Sequence, residues 1–179
     1  MVKPKTKKVS DSLTIMTELV LPNDTNTLNN LMGGRLLHWM DIVGAVSAQK
    51  HAESNVVTAS VDHVSFNKPI KLGNVVTLKA MVTRTFTTSM EIMIEVKAND
   101  IPNQKEFVSN IAYYTFVAVD SCGKPIPVPA IEPESQDECK NYEFALIRRQ
   151  MRLLLAGKNT LDDTEALIDY LKLAKERLK

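Results

Sequence analysis

Asp41 interrupts one of the most apolar stretches of the chain, the run Gly33-Gly34-Arg35-Leu36-Leu37-His38-Trp39-Met40-Asp41-Ile42-Val43-Gly44-Ala45-Val46-Ser47-Ala48. An ionised carboxylate is costly to bury unless it is paired or used. Such a group has two chemical uses beside an electrophilic carbonyl: it can activate a water as general base, or attack the carbon itself. The glycine pair that opens the run predicts accessible N–H groups at a helix start, donors suited to an oxygen that gains negative charge. An Asn-rich loop, Asn23 to Asn30, leads into it. Periodicity alone supports a plainer reading. At about 100° per residue, Leu36, Leu37, Trp39, Met40, Ile42, Val43 and Val46 cover most of the helix, and His38, Asp41, Ala45 and Gln49 share a narrow solvated stripe. His38 reads as a polar residue of that stripe. Asp62 and His63 are neighbours, but adjacent strand residues point to opposite faces, so the pair reads as structural.

Composition narrows the classes. The 179 residues suffice for one domain with a real core. Twenty-two basic residues against 21 acidic ones argue against a dedicated nucleic-acid binder. Lys3, Lys5, Lys7 and Lys8 form a basic tip with no apolar segment after it, unlike a secretory signal. No run is long enough to cross a bilayer, so no membrane association and a cytoplasmic location are expected. Cys122 and Cys139 form no Cys-x-x-Cys pair and only three histidines exist. The expectation is two free thiols and no metal site. No Gly-x-Ser-x-Gly elbow is present, which removes the serine-nucleophile route of α/β-hydrolases.

The elements that must position Asp41 follow in an unusual order. Residues 12–21 predict a strand ended by Pro22, and residues 33–51 the helix. Val56 to Phe66 predicts a second strand whose phase slips near His63. Val76 to Val82, Met90 to Val96 and Phe107 to Val119 predict three more, joined by short turns that favour antiparallel pairing. A helix apolar over most of its surface has to be wrapped rather than laid on a sheet. The architecture expected is therefore α+β of hotdog type, a curved antiparallel sheet around one long central helix. Residues 1–11 read as a flexible tip, 12–130 as the hotdog domain and 131–179 as a C-terminal helical extension. In that extension Ser135 and Glu138 have capping-box spacing, and Thr160 is placed to cap a last helix.

Several separate segments, in order, resemble the acyl-coenzyme A thioester hydrolases of the hotdog superfamily, both single-domain bacterial and tandem-domain cytosolic. They are Asn26-Thr27-Leu28-Asn29-Asn30-Leu31-Met32-Gly33-Gly34, Trp39-Met40-Asp41, Val57-Thr58-Ala59-Ser60-Val61-Asp62, Thr85-Phe86-Thr87-Thr88-Ser89-Met90-Glu91 and Ala112-Tyr113-Tyr114-Thr115-Phe116-Val117 with Pro127-Val128-Pro129. The likeness runs from about residue 12 to about residue 152. One glycine of the family's first motif is Asn29 here, and Asn is the usual substitute where φ is positive. The resemblance implies hydrolysis of acyl-coenzyme A with no cofactor, in fatty acid metabolism. It implies Asp41 and Asn26 as catalytic residues, Asn26 holding the water or the carbonyl. It also implies Thr58, Ala59, Ser60, Thr87, Thr88 and Ser89 along the coenzyme A path. Arg148 and Arg149 are suitable phosphate partners, and equally a solvated helix face. The family builds its site between two hotdogs, so a chain with one implies a homodimer at least, and a hexamer of three dimers by analogy with single-domain relatives. Two other functions fit the same fold: a non-catalytic acyl-coenzyme A sensor, and a dehydratase, which would need a catalytic histidine.

Overall fold

The computed structural model describes residues 6–62, 64–66 and 68–177. The chain divides into two compact units, residues 1–132 and 133–179. In the first unit, β1 (Thr6–Lys8) and a one-turn helix α1 (Val9–Ser12) precede β2 (Thr14–Leu19), the central helix α2 (Gly33–Ala52), β3 (Asn55–Val61), β4 (Val75–Thr85), β5 (Ser89–Asp100), β6 (Lys105–Val119) and β7 (Ala130–Glu132). Five strands form one antiparallel sheet in the order β2-β4-β5-β6-β3, and β1 pairs with β7 in a separate parallel ribbon.

Strand alternation makes the sheet's inner face. Val76, Leu78, Ala80 and Val82 of β4, Met90, Ile92, Ile94 and Val96 of β5, and Ala112, Tyr114, Phe116 and Ala118 of β6 are all buried. Leu36, Trp39, Met40, Val43 and Ala48 of α2 are buried as well, so this helix and this face form the core. Gly44 is the point of closest approach. A Cβ there would stand 3.0 Å from the Phe116 ring and 3.2 Å from Ile94, so glycine lets the helix seat against the sheet. A buried serine locks the register of the layers: Ser12 Oγ accepts Val82 N at 3.0 Å, and the Ser12 carbonyl accepts Ser47 Oγ at 2.9 Å.

The hotdog architecture expected from the order of elements is the one found. Four details differ. Thr6–Lys8 is a strand rather than part of a flexible tip, because its backbone pairs with Ala130–Glu132. Ile42 and Val46 are exposed, so the uncovered stripe of α2 is wider and more apolar than periodicity indicated. β3 stops at Val61 instead of reaching Phe66, and its register shift lies between Thr58 and Ser60 rather than at His63, which is outside the described residues. In the second unit, α3 (Gln136–Leu155) begins with the expected capping box of Ser135 and Glu138. Thr160, however, is tied to Asp163 across a 3-10 turn (Leu161–Asp163) and does not cap α4 (Glu165–Arg177).

Candidate active site

The start of α2 lacks a side-chain cap. Met32 occupies the N-cap position and makes no capping bond, and the first helical bond runs from Leu36 N to the Met32 carbonyl. The N–H groups of Gly33 and Gly34 therefore have no acceptor within the helix. A Cβ on Gly34 would meet nothing within 4 Å, so that donor is approachable. Asp24 pairs with Arg35 at 2.8 Å and its carbonyl accepts Met32 N at 2.9 Å, which fixes how the loop enters the helix. Inside the loop, Asn26 Oδ1 accepts Leu28 N at 2.9 Å and Asn30 N at 3.2 Å. Both lone-pair directions are thereby used, so the Nδ2 group of Asn26 is left as a donor. Asn29 holds φ at 55°, the conformation for which Asn best replaces glycine. Asn26, Gly33 and Leu36 line one cavity of about 300 Å³.

Asp41 lies two turns further along, about 12 Å from Gly33 at 1.5 Å per residue. It is half-buried, and it is not among the residues lining the Asn26 cavity. Its Oδ1 accepts the Thr58 hydroxyl of β3 at 2.6 Å. Tyr114 approaches the same turn: its hydroxyl stands 3.5 Å from the Leu37 carbonyl, which belongs to the residue one turn before Asp41. Burial pushes the Tyr114 phenol up to about 12, and the nearby Asp41 charge adds to that shift.

The other candidates separate. Thr58 pairs with Phe116 and Ser60 with Thr115, with Ala59 as the extra residue of the bulge. Adjacent positions on β6 face opposite sides, so Thr58 and Ser60 cannot line one path. Thr87, Thr88 and Ser89 form the β4–β5 turn, anchored by Val128 N to the Thr87 carbonyl and by Ala118 N to that of Thr88. Arg148 and Arg149 belong to α3 of the second unit. Arg148 turns back onto the Asn141 carbonyl at 3.2 Å, and burial, with Arg152 nearby, lowers the pKa of Arg149. Three features were missed in the sequence: the Thr58 bond to Asp41, the Tyr114 contact, and Phe66, whose ring covers Gly33. The Val57-Thr58-Ala59 run carried a signal for the first, since its hydroxyl is the sole polar group there. The other two had none.

Comparison with known proteins settles the family. A model of the thioesterase superfamily matches residues 28–103. An acyl-CoA thioester hydrolase of Bacillus subtilis is 36% identical over 168 residues, 94% of this chain and 95% of that one. The chain belongs to the acyl-CoA thioester hydrolases. Among solved members, an apo-hexameric acyl-CoA thioesterase superposes with a TM-score of 0.83 at 40% identity, covering 87% of this chain and 99% of that one. The acyl-CoA hydrolase of Staphylococcus aureus, in complex with butyryl coenzyme A, coenzyme A and coenzyme A disulfide, gives 0.79 at 36% identity, covering 93% and 99%. That enzyme is also known with one Asn, one Asp or one Thr replaced by alanine. Those positions are 15 and then 17 residues apart, the spacing of Asn26, Asp41 and Thr58.

Proposed function

We propose that this protein hydrolyses acyl-coenzyme A thioesters, with Asp41 as general base and the start of α2 as the oxyanion site. The observation that carries the reading is the short bond from Thr58 to Asp41 Oδ1. It holds the carboxylate in one orientation and leaves Oδ2, which has no protein partner among the described residues, to take a proton from water. That water's oxygen adds to the thioester carbon. The carbonyl oxygen gains negative charge, which Asn26 Nδ2 and the N–H groups at the Gly33-Gly34 helix start stabilise as donors. Collapse breaks the C–S bond and the thiolate leaves. The proton held by Asp41 returns to it, giving free acid and coenzyme A.

A site shared between two chains supports this scheme better than one within a chain. About 12 Å along the helix axis is too far for one thioester to touch both Asp41 and the α2 start of the same molecule. A second copy brings its own Asp41. β3 is an edge strand of the sheet, and the uncovered stripe of α2 leaves Ile42 and Val46 exposed, features of the kind that a second copy can cover. A dimer, and three such dimers in a hexamer, is the assembly we assign, and one relative of known structure is hexameric. The Thr87-Thr88-Ser89 turn is a candidate for the coenzyme A path, and Arg148 and Arg149 are separate candidates for phosphate binding. Among the described residues the dehydratase alternative finds no suitable histidine: His38 is on the exposed stripe, and His51 is buried with Nε2 on the Pro129 carbonyl at 2.9 Å, while His63 lies outside the described residues.

The test is release of free thiol from a panel of acyl-coenzyme A esters by the wild type and by Asp41→Asn. Turnover that depends on Asp41 supports the scheme. A protein that binds the esters without cleaving them is the sensor instead.

A further inference from the structure

Phe66 is a large aromatic side chain left about half exposed, at 51%. Asn110 of β6 donates its side-chain amide to the Ser65 carbonyl just before it. Beyond it, the Ile70 carbonyl accepts Leu31 N at 2.7 Å, and Ile70 is buried. Hydrogen bonds thus hold the chain at Ser65 and again at Ile70, with the Phe66 ring between them. Its tip reaches Gly33: a Cβ there would stand 3.3 Å from Cζ and 3.4 Å from Cε2. The donors at the helix start are therefore covered on the Gly33 side and open on the Gly34 side. The same ring walls the cavity that holds Asn26, whose remaining apolar lining is Leu31, Leu36, Pro69 and Ile70.

That arrangement has a direction. A carbonyl bound at Gly34 and Asn26 has donors on one side and, on the other, a recess with an apolar wall that includes Phe66 and with Asn30, Lys68 and Ser109 as its polar members. We propose that Phe66 is the wall that sets the length of acyl chain the site accepts, a conclusion that rests on the thioester-hydrolase reading. The recess of about 300 Å³ holds on the order of ten heavy atoms, at about 30 Å³ for a water-sized group. Short and medium saturated acyl chains are the substrate class it fits with the ring in place.

The experiment is the ratio of kcat/KM for decanoyl- to butyryl-coenzyme A in the wild type, Phe66→Ala and Phe66→Trp, with assembly followed by sedimentation. Phe66→Ala should raise that ratio by roughly tenfold and Phe66→Trp should lower it, since each methylene in a hydrophobic pocket is worth at least about tenfold in discrimination. Phe66→Leu, which shortens the wall less than alanine does, should raise the ratio by a smaller but measurable factor and covers the case in which the alanine variant fails to fold. An unchanged ratio in active variants overturns the proposal, as does loss of assembly with the ratio intact, which makes Phe66 an interface residue only. A wild type that cleaves neither ester refutes the hydrolase reading itself, a distinct result.

Discussion

The two ends of α2 are treated differently. At the C-terminal end the last turn and the residues beside it are tied down by their neighbours. Lys7 Nζ donates to the Lys50 carbonyl at 2.8 Å and pairs with Glu53 at 2.8 Å, Lys50 Nζ donates to the Leu13 carbonyl at 2.8 Å, and buried His51 bonds the Pro129 carbonyl. At the N-terminal end there is no side-chain cap, two glycines present their N–H groups, and an exposed asparagine has its acceptor used and its donor left over. One end is tied to the chain by several hydrogen bonds, although His51 Nδ1 is buried without a partner, and the other keeps donors for something else. Substitutions at the first end should therefore cost stability and at the second activity, with Asp41 grouped with the second.

The largest effect belongs to Asp41→Asn. Turnover should fall by about 10²-fold or more, the scale of losing a general base, with coenzyme A ester binding and melting temperature nearly unchanged. Wild-type turnover in that variant would remove Asp41 from the chemistry. Asn26→Ala should lower kcat by about 10²-fold, the lower bound for one oxyanion donor. A rise in KM with kcat intact would make Asn26 a loop residue. Thr58→Val should cost on the order of tenfold in kcat, because the carboxylate loses one of its charge-assisted bonds. An effect on KM alone would return Thr58 to the coenzyme A path.

At the closed end, the prediction concerns pH. Burial, the largest influence on His51, lowers its pKa below the usual 6.5, and the unfolded chain then binds the proton more readily. His51 accordingly favours folding above about pH 6.5, and that stability is lost as pH falls further. Thermal unfolding from pH 8 to pH 5 should show a steeper decline in the wild type than in His51→Gln, while kcat of the variant at pH 8 stays near wild type. Parallel curves would break the contrast between the two ends. The smallest effect is expected from Arg148→Ala and Arg149→Ala: a several-fold loss of binding, larger for coenzyme A than for its 3′-dephospho form. Equal losses would move the arginines away from that phosphate.

Much of this was legible in the chain because the signals were local. Twenty residues with two opening glycines and an apolar surface specify a central helix, and two strands with period-two alternation, followed by a long third, specify its wrapping. Asn29 announced a positive φ by replacing a glycine. What could not be read depended on register. One extra residue, Ala59, turns Ser60 to the opposite face from Thr58, and no composition or spacing shows where a bulge falls. β1 was hidden for a similar reason, since three residues of a basic tip become a strand only because Ala130–Glu132 returns beside them. Phe66 was read as the end of a strand; it leaves the sheet because side-chain and loop bonds replace the ladder after Val61.

The central claim is that the two halves of the site, Asn26 with the helix start and Asp41 with Thr58, meet across chains. The most direct measurement mixes Asn26→Ala chains with Asp41→Asn chains, each inactive alone, under conditions that allow subunits to exchange, and follows thiol release. A shared site gives mixed dimers one intact pair of residues, so activity should return to about a quarter of wild type for random re-pairing, one of two sites in half of the dimers. A mixture that exchanges subunits and stays inactive, or a wild type that sediments as a monomer while turning over substrate, would contradict it.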